Sequence, residues 1–268
     1  MENRVNQAHQ LSHDRIDAAS GVGFSFFDSS DRRNRFVWHR HAKHQLLVVT
    51  SGVSMLQTER CTYPLHKTRA ALIPAGIKHE TTVNVGCEFG SFFIAPELAP
   101  GSDEECYAIR VTPLLSTLVD EGRKWNELDC SGGEASRFFA YLSDVVRGLS
   151  CKMEGLVLPS PRDNTVKDLV SFAFERLETV VLPDVVETLG VRERTLRRKV
   201  QTDLGMSWRS FIRLARIVKA SQILDTSSAS ISDVAFGVGF GSLSAFNNAF
   251  SDLTGHSPSR WRNRGGNP

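Results

Sequence analysis

The 268-residue sequence predicts a two-domain α+β protein, an N-terminal β-barrel with following helices joined to an all-α C-terminal domain. Three observations predict it. Between residue 20 and about residue 98, short apolar and β-branched runs alternate with turn residues, the pattern of a barrel or sandwich. From about Thr112 the apolar residues switch to helical spacing. In the last third, one two-helix unit occurs twice. The expected boundaries are 1–100 for the barrel, 101–164 for a helical linker or dimerisation region, and 165–268 for the all-α domain.

The strands come first. "QLLVVTSG" is apolar and ends at Gly52, "RAALIPAG" breaks at Pro74 and Gly76, and "EFGSFFIAP" ends at Pro96. After Thr112, "PLLSTLVDEGRKW" and "ASRFFAYLSDVVRGL" read as helices, the second with Phe138, Tyr141, Leu142, Val145 and Leu149 on one face. "LVLPSPRDN", with two prolines, reads as a linker near residues 156–164.

Composition narrows the class. A hydrophobic fraction of 41% with 23% charged residues is globular. No apolar run approaches the ~20 residues of a membrane span. The polar start "MENRVNQAHQLSHDR" lacks the apolar core of a secretory signal, so a soluble, cytoplasmic protein with no membrane partner is expected. Cys61, Cys87, Cys106, Cys130 and Cys151 are odd in number and show no C-x-x-C spacing, which argues against a disulfide framework or a thiolate zinc site. Residues 165–268 carry 14 Lys+Arg against 10 Asp+Glu, while the rest carries 18 against 20. The basic excess therefore sits in the C-terminal third, an asymmetry compatible with nucleic-acid binding.

The duplicated unit is the strongest signal. Leu182, Val185, Val186 and Leu189 precede Gly190; Ile231, Val234, Ala235 and Val238, at the same spacing, precede Gly239. Each glycine leads into a second helix, striped by Leu196 and Val200 in one unit and by Phe246 and Phe250 in the other. An amphipathic helix, a tight turn and a second short helix make a helix-turn-helix, spanning about 182–203 and 230–253. Away from the apolar stripes the first unit shows Arg194, Arg197 and Arg198, and the second shows Ser244, Asn247 and Asn248. Arginine pairs with guanine edges and clamps phosphates, and asparagine pairs with adenine. Between the units "WRSFIRLARIVKASQIL", 17 residues, predicts a continuous helix of roughly 25 Å. Such a rod would hold two reading helices about one DNA turn apart, ~34 Å.

Residues from about 165 to 264 resemble the DNA-binding domain of the AraC/XylS family of transcription regulators, through "LGVRERTLRRKV…LGMS" and "SISDVAFGVGFGSLSAFNNAFSDLTGHSPSRWR". The resemblance implies binding of double-stranded DNA in the major groove at two adjacent half-sites. It carries base reading to Arg194, Thr195, Arg197 and Arg198, and to Leu243, Ser244, Asn247 and Asn248. It further implies contact with RNA polymerase and a homodimer. Arg192 stands where the family has a capping Ser, so the first reading helix is expected to lack a side-chain cap. Val186 and Trp208 stand where the family has Ala and Pro.

The stretch "HRHAKHQLLVVTSG" fits H-x-H-x3-E-x6-G with Gln45 in the glutamate position, and "PAGIKH" fits P-x-G-x2-H. Residues from about 24 to 98 therefore resemble the cupin-like sensor domain that often precedes this DNA-binding domain. Strand alternation puts His39, His41 and Gln45 on one face and turns His44 away. The second motif adds His79. Three uses of His39, His41, Gln45 and His79 stand open. They bind a small polar effector; or His39, His41 and His79 hold a divalent metal; or the side chains satisfy one another without a ligand. Otherwise no cofactor is expected. The competing function is a metal-dependent cupin oxygenase or isomerase. Replacement of the carboxylate by Gln45 removes a charged ligand from such a site, and the duplicated helix-turn-helix has no place in it. His44, His66 and Trp38 are expected to serve packing or the surface. "GVGFG" at 237–241 is not a phosphate loop, since it follows no strand.

Overall fold

The computed structural model describes residues 13–19, 21–30, 34–98, 105–125, 132–149 and 156–263. The chain divides into two compact units, one running through residue 153 and the other from residue 154 onward, with Glu59–Thr62 counted in the second. Among the described residues Cys61, Cys87 and Cys106 form no disulfide. Cys130, Cys151 and the first twelve residues lie outside the described residues. Among the described residues no helix is long and apolar enough to cross a membrane.

The first unit opens with helix α1 (His13–Ala18) and continues as strands β1 (Gly23–Ser30), β2 (Asn34–His39), β3 (His44–Ser51), β4 (Val53–Thr58), β5 (Cys61–His66), β6 (Arg69–Ile73), β7 (His79–Val83), β8 (Cys87–Ile94) and β9 (Tyr107–Arg110). Their spatial order is β1-β8-β3-β6-β5-β4-β7-β2, with β9 beside β6. Antiparallel pairing rolls this sheet into a nearly closed barrel. The apolar run in β3 is explained by burial on both faces. Leu46 and Val48 belong to a core shared with helices, while alternation turns Gln45, Leu47 and Val49 to the opposite face.

Helices α2 (Pro113–Glu121) and α3 (Gly133–Gly148) cover the outside of the barrel. Thr112 caps α2 by accepting from the Leu115 N–H at 3.2 Å, and Pro113 occupies the first turn, where a missing N–H costs nothing. Leu115, Leu118, Val119, Ala135, Phe139, Leu142 and Val146 pack with Phe24, Phe92 and Ile109 in one core. Helices α2 and α3, in the segment expected as a helical linker or dimerisation region, lie in the barrel's compact unit. The buried face of α3 also differs from the expected stripe. It runs through Ala135, Phe139, Leu142 and Val146, Phe138 and Val145 flank it, and Tyr141 points outward. Adjacent phenylalanines offered two overlapping stripes, and the barrel surface takes the one on which Phe139 is fully buried.

The second unit is helical: α4 (Asn164–Glu175), α5 (Leu182–Leu189), α6 (Glu193–Leu204), α7 (Trp208–Thr226), α8 (Ile231–Gly237), α9 (Leu243–Thr254) and α10 (Pro258–Asn263). Both expected helix-turn-helix units are present, as α5–α6 and α8–α9. The connecting helix α7 has 19 residues, roughly 28 Å. It buries Phe211, Leu214, Ala215, Ile217 and Val218 and packs against α8, α9 and α10. The two turns are built differently. Gly190 ends α5 directly as a left-handed cap, φ 62°, with open space around it. In the second unit Val238 is the cap and Gly239 follows at φ 92°; a Cβ there would lie 2.2 Å from the Glu178 carbonyl oxygen.

Candidate functional sites: a histidine pocket and two reading helices

In the barrel, strand register and one turn assemble the histidines. His39 ends β2 and pairs directly with His79 at the start of β7. His41 lies in the connection between β2 and β3, not on a strand as alternation assumed. Its carbonyl accepts from the Gly76 N–H at 2.8 Å, so the "PAGIKH" turn is tied to the "HRHAKH" segment. Gly76 sits at φ 80°, a conformation a side chain would strain, although a Cβ would meet nothing nearby. Ring centroids lie 4.3 Å apart for His39 and His79, 5.3 Å for His41 and His79, and 5.9 Å for His39 and His41.

Gln45 joins the three: its Oε1 is 3.0 Å from His41 Nε2, and its Nε2 donates to Ser91 Oγ at 2.7 Å. Ser91, on β8, was not foreseen; it lies 46 residues from Gln45 and no local pattern marks it. His44 leaves the cluster as expected, meeting the Ala75 N–H at 3.4 Å instead. His66 is buried elsewhere, beside Thr68 Oγ1 at 3.2 Å. Trp38 lies under Lys78 Nζ, 5.8 Å from the ring centre.

Burial favours the neutral form of His41 and His79. It pushes the His79 ring down to about 3, helped by the neighbouring His39 and His41. His41 is lowered by burial as well, against the opposing pull of its bonds to Gln45 and the Lys43 carbonyl. A neutral imidazole is a metal ligand or a hydrogen-bond partner, whereas an imidazolium is only a donor. One ring nitrogen from each of His39, His41 and His79 lies within 4.8 Å of the others, close enough to share one ion. No carboxylate joins them among the described residues, which fits the glutamine in the motif.

The second unit presents two short helices of matching build. In α6, Leu196, Val200 and Leu204 are buried, while Arg194, Arg197 and Arg198 are exposed and Thr195 is half-buried. In α9, Phe246, Ala249 and Phe250 are buried, Leu243, Ser244 and Asn248 are exposed, and Asn247 is half-buried. Leu243, at 39% exposed, lies outside the core. The helices start differently. Ser242 caps α9 by accepting from the Ala245 N–H at 3.2 Å. Arg192 occupies the equivalent place before α6 and provides no such bond. Arg197 is held by Glu193 at 2.7 Å on the solvent face, while Arg194 and Arg198 form no ion pair among the described residues.

A second contact network braces the inner side of α6. Lys199 Nζ donates to Asp163 Oδ2 at 2.6 Å and to Thr165 Oγ1 at 3.0 Å. Asp203 Oδ2 accepts from the backbone of Arg162 and Asp163. The last residues of the proline-bearing segment are thereby fixed to α6. The Lys199 ammonium also holds the Asp163 carboxyl below its ordinary value.

A helix-turn-helix domain model matches residues 185–264, and an AraC-like ligand binding domain model matches residues 21–121. The chain belongs to the AraC/XylS family of transcription regulators. It is 23% identical over 224 residues to the HTH-type transcriptional regulator NimR of Escherichia coli K12, covering 83% of this chain and 81% of that protein. Over 159 residues it is 32% identical to the transcriptional activator RhaR of an Enterobacter species, 58% of this chain and 54% of that one. Similarity also extends to the regulator YfiF of Bacillus subtilis, 22% over 247 residues, 84% of this chain and 78% of the other. This AraC/XylS regulator therefore joins a ligand-binding barrel to a DNA-binding helical domain, and the enzyme alternative is not favoured.

Proposed function

We propose that this regulator converts occupancy of its histidine-lined barrel into a change in DNA binding by α6 and α9. The observation that carries the reading is the pair of helix-turn-helix units within one unit, each with its apolar stripe buried and a polar face exposed. Arg194, Thr195, Arg197 and Arg198 read one half-site in the major groove, and Leu243, Ser244, Asn247 and Asn248 read the adjacent one. His39, His41, Gln45 and His79 contact the effector. Occupancy shifts the population between arrangements of the chain that differ in DNA affinity. The exposed face of α3 around Tyr141 joins two copies, and contact with RNA polymerase follows DNA binding. The protein acts in the cytoplasm, where its DNA lies.

Gel-shift titration on the DNA flanking its own gene tests this, with and without small-molecule candidates identified by thermal shift. Binding weakens steeply with salt as arginines displace counterions. Arg198→Ala costs ~1–3 kcal/mol, roughly 5- to 150-fold, if that side chain reads a base. Unchanged binding by both Arg197→Ala and Arg198→Ala on the tightest site overturns the reading-helix assignment.

A further inference from the structure

Each reading helix is braced by one ion pair, and the two braces differ in origin. On α9, Asp252 accepts from Arg213 of α7 at 2.6 Å, so its partner lies within the helical bundle. On α6, Lys199 follows Arg198 directly, yet its ammonium turns away from the exposed arginines toward Asp163 and Thr165. Its side chain is 32% exposed, against 58% for Arg197. Asp203, four residues on and therefore on the same helix face, accepts from the Arg162 and Asp163 N–H groups at 2.9 and 3.1 Å. Asp163 in turn caps α4 through the Val166 N–H at 3.2 Å. Two α6 side chains thus hold the stretch where the proline-bearing segment becomes a helix.

The same segment is bonded on its other side. Leu158 and Pro159 pair antiparallel with Thr62 and Cys61. The Ser160 N–H donates to the Arg60 carbonyl at 2.8 Å, and the Ser160 and Thr62 hydroxyls lie 2.9 Å apart. Glu59–Thr62 are counted with the second unit, although the chain on either side of them belongs to the first. Thr58, the residue before, ends β4 and stands opposite His79 in the β4–β7 register. Successive bonded groups therefore run from His79 to Thr58, then Glu59–Thr62, then Leu158–Asp163, and reach α6. The other reading helix, α9, packs on α7, α8 and α10.

We propose that Lys199 and Asp203 are positioning residues of the first reading helix, through which residues 158–163 pass the state of the barrel to α6 and not to α9. Barrel occupancy then changes affinity at the α6 half-site and leaves the α9 half-site constant. This deepens the reading of the chain as an effector-controlled regulator and rests on it. Base reading depends on hydrogen bonds that weaken steeply with misalignment, so a small displacement of α6 changes its affinity. The Lys199–Asp163 pair is charge-assisted and hence directional, but it is partly solvated, so releasing it costs little. A brace of that kind has a held and a released arrangement, and both DNA and the barrel bias the balance. Lys199 serves as an anchor, although its place on a reading helix suggests a phosphate contact. Leu158 and Pro159 also lie against α7, so α9 is the control that decides whether the route ends at α6.

Two measurements on the full-length protein test this. The first is quantitative footprinting at several salt concentrations. Lys199→Met and Asp203→Asn should each weaken protection at the α6 half-site by about 2- to 30-fold, with the α9 half-site unchanged. The salt dependence should keep its wild-type slope, and Lys199→Arg should restore affinity. A slope reduced by about one in Lys199→Met, with loss at both half-sites, makes Lys199 a phosphate contact and overturns its positioning role. The second measurement is native-state hydrogen exchange without DNA, with His79→Ala as the perturbation of the barrel. Protection in α6 should change and protection in α9 should not. In a Lys199→Met/Asp203→Asn background, His79→Ala should leave α6 unaffected. Equal changes in α6 and α9, no change in α6, or a change that survives in that background overturns the proposal. Circular dichroism shows whether His79→Ala folds. If it does not, Thr62→Val with Ser160→Ala removes the hydroxyl pair and takes its place, with the same outcomes. A wild-type chain without sequence-specific protection rejects the regulator reading, while the exchange cycle, needing no DNA, still decides the coupling. Two normal half-sites with a failed exchange cycle reject the coupling alone.

Discussion

Arg192→Ser should stabilise the second unit by about 1 kcal/mol. The magnitude follows from a comparison inside the same unit. Ser207, Ser230 and Ser242 each precede a helix, and each accepts from the N–H three residues later, Ser210, Asp233 and Ala245. Arg192 precedes α6 with φ −57° and ψ 134°, an extended backbone suited to a cap, yet offers no acceptor. Its helix therefore begins with the Thr195 N–H lacking the side-chain oxygen that Ser242 gives to Ala245. A serine supplies that oxygen without moving the backbone. For a domain near 100 residues, 1 kcal/mol corresponds to roughly 4–8 °C in Tm. The assay is chemical denaturation of the full chain followed by native-state hydrogen exchange, with protection at Thr195 and Leu196 as the local readout. Ser242→Ala is the internal standard and should lose a similar amount. An Arg192→Ser protein that gains nothing, while Ser242→Ala loses about 1 kcal/mol, refutes the capping argument for α6.

Gly239→Ala should destabilise the second unit by about 2–4 kcal/mol, since it combines a positive φ with a Cβ forced onto the Glu178 carbonyl; thermal unfolding would show it. Gly190→Ala, with open space around it, should cost only the conformational part, about 1 kcal/mol. Acid should act through His66, which burial and the nearby Arg69 and Lys67 charges hold down to about 3. The folded protein then refuses a proton that the unfolded chain accepts below the ordinary value of 6.5. Stability is full above that value and is lost as pH falls toward 3, by about 2 kcal/mol at pH 5. His66→Gln should flatten that part of a pH–stability curve. Glu193→Gln releases Arg197 from an exposed pair worth about 0.3–0.5 kcal/mol and removes a negative charge beside DNA; affinity should rise about twofold or more in a filter or anisotropy assay.

The second unit was legible because its signals are local. Apolar residues at helical spacing, a glycine at each turn and a second copy placed α5–α6 and α8–α9 to within a residue or two. The different build of the two turns was not visible, because Gly239 lies against the Glu178 carbonyl, distant in sequence, while Gly190 stands in open space. In the first unit the strands were readable but their partners were not. His39 meets His79 through β2–β7 pairing, which a motif match anticipated without explaining. Gln45 finds Ser91 only through β3–β8 pairing. On α3 the adjacent Phe138 and Phe139 gave two candidate stripes, and the shape of the barrel surface decided between them. The orientation of the histidines was beyond reach, since it is set by three backbone carbonyls, those of Val37, Lys43 and Ile77, that no side-chain pattern records.

Footprinting of the full-length protein on the DNA flanking its own gene tests the central claim most directly. Two protected half-sites are predicted about one helical turn apart, ~10 bp centre to centre. Arg198→Ala should weaken protection at one half-site and Asn248→Ala at the other. Protection no stronger than on unrelated DNA at the same salt would contradict the account.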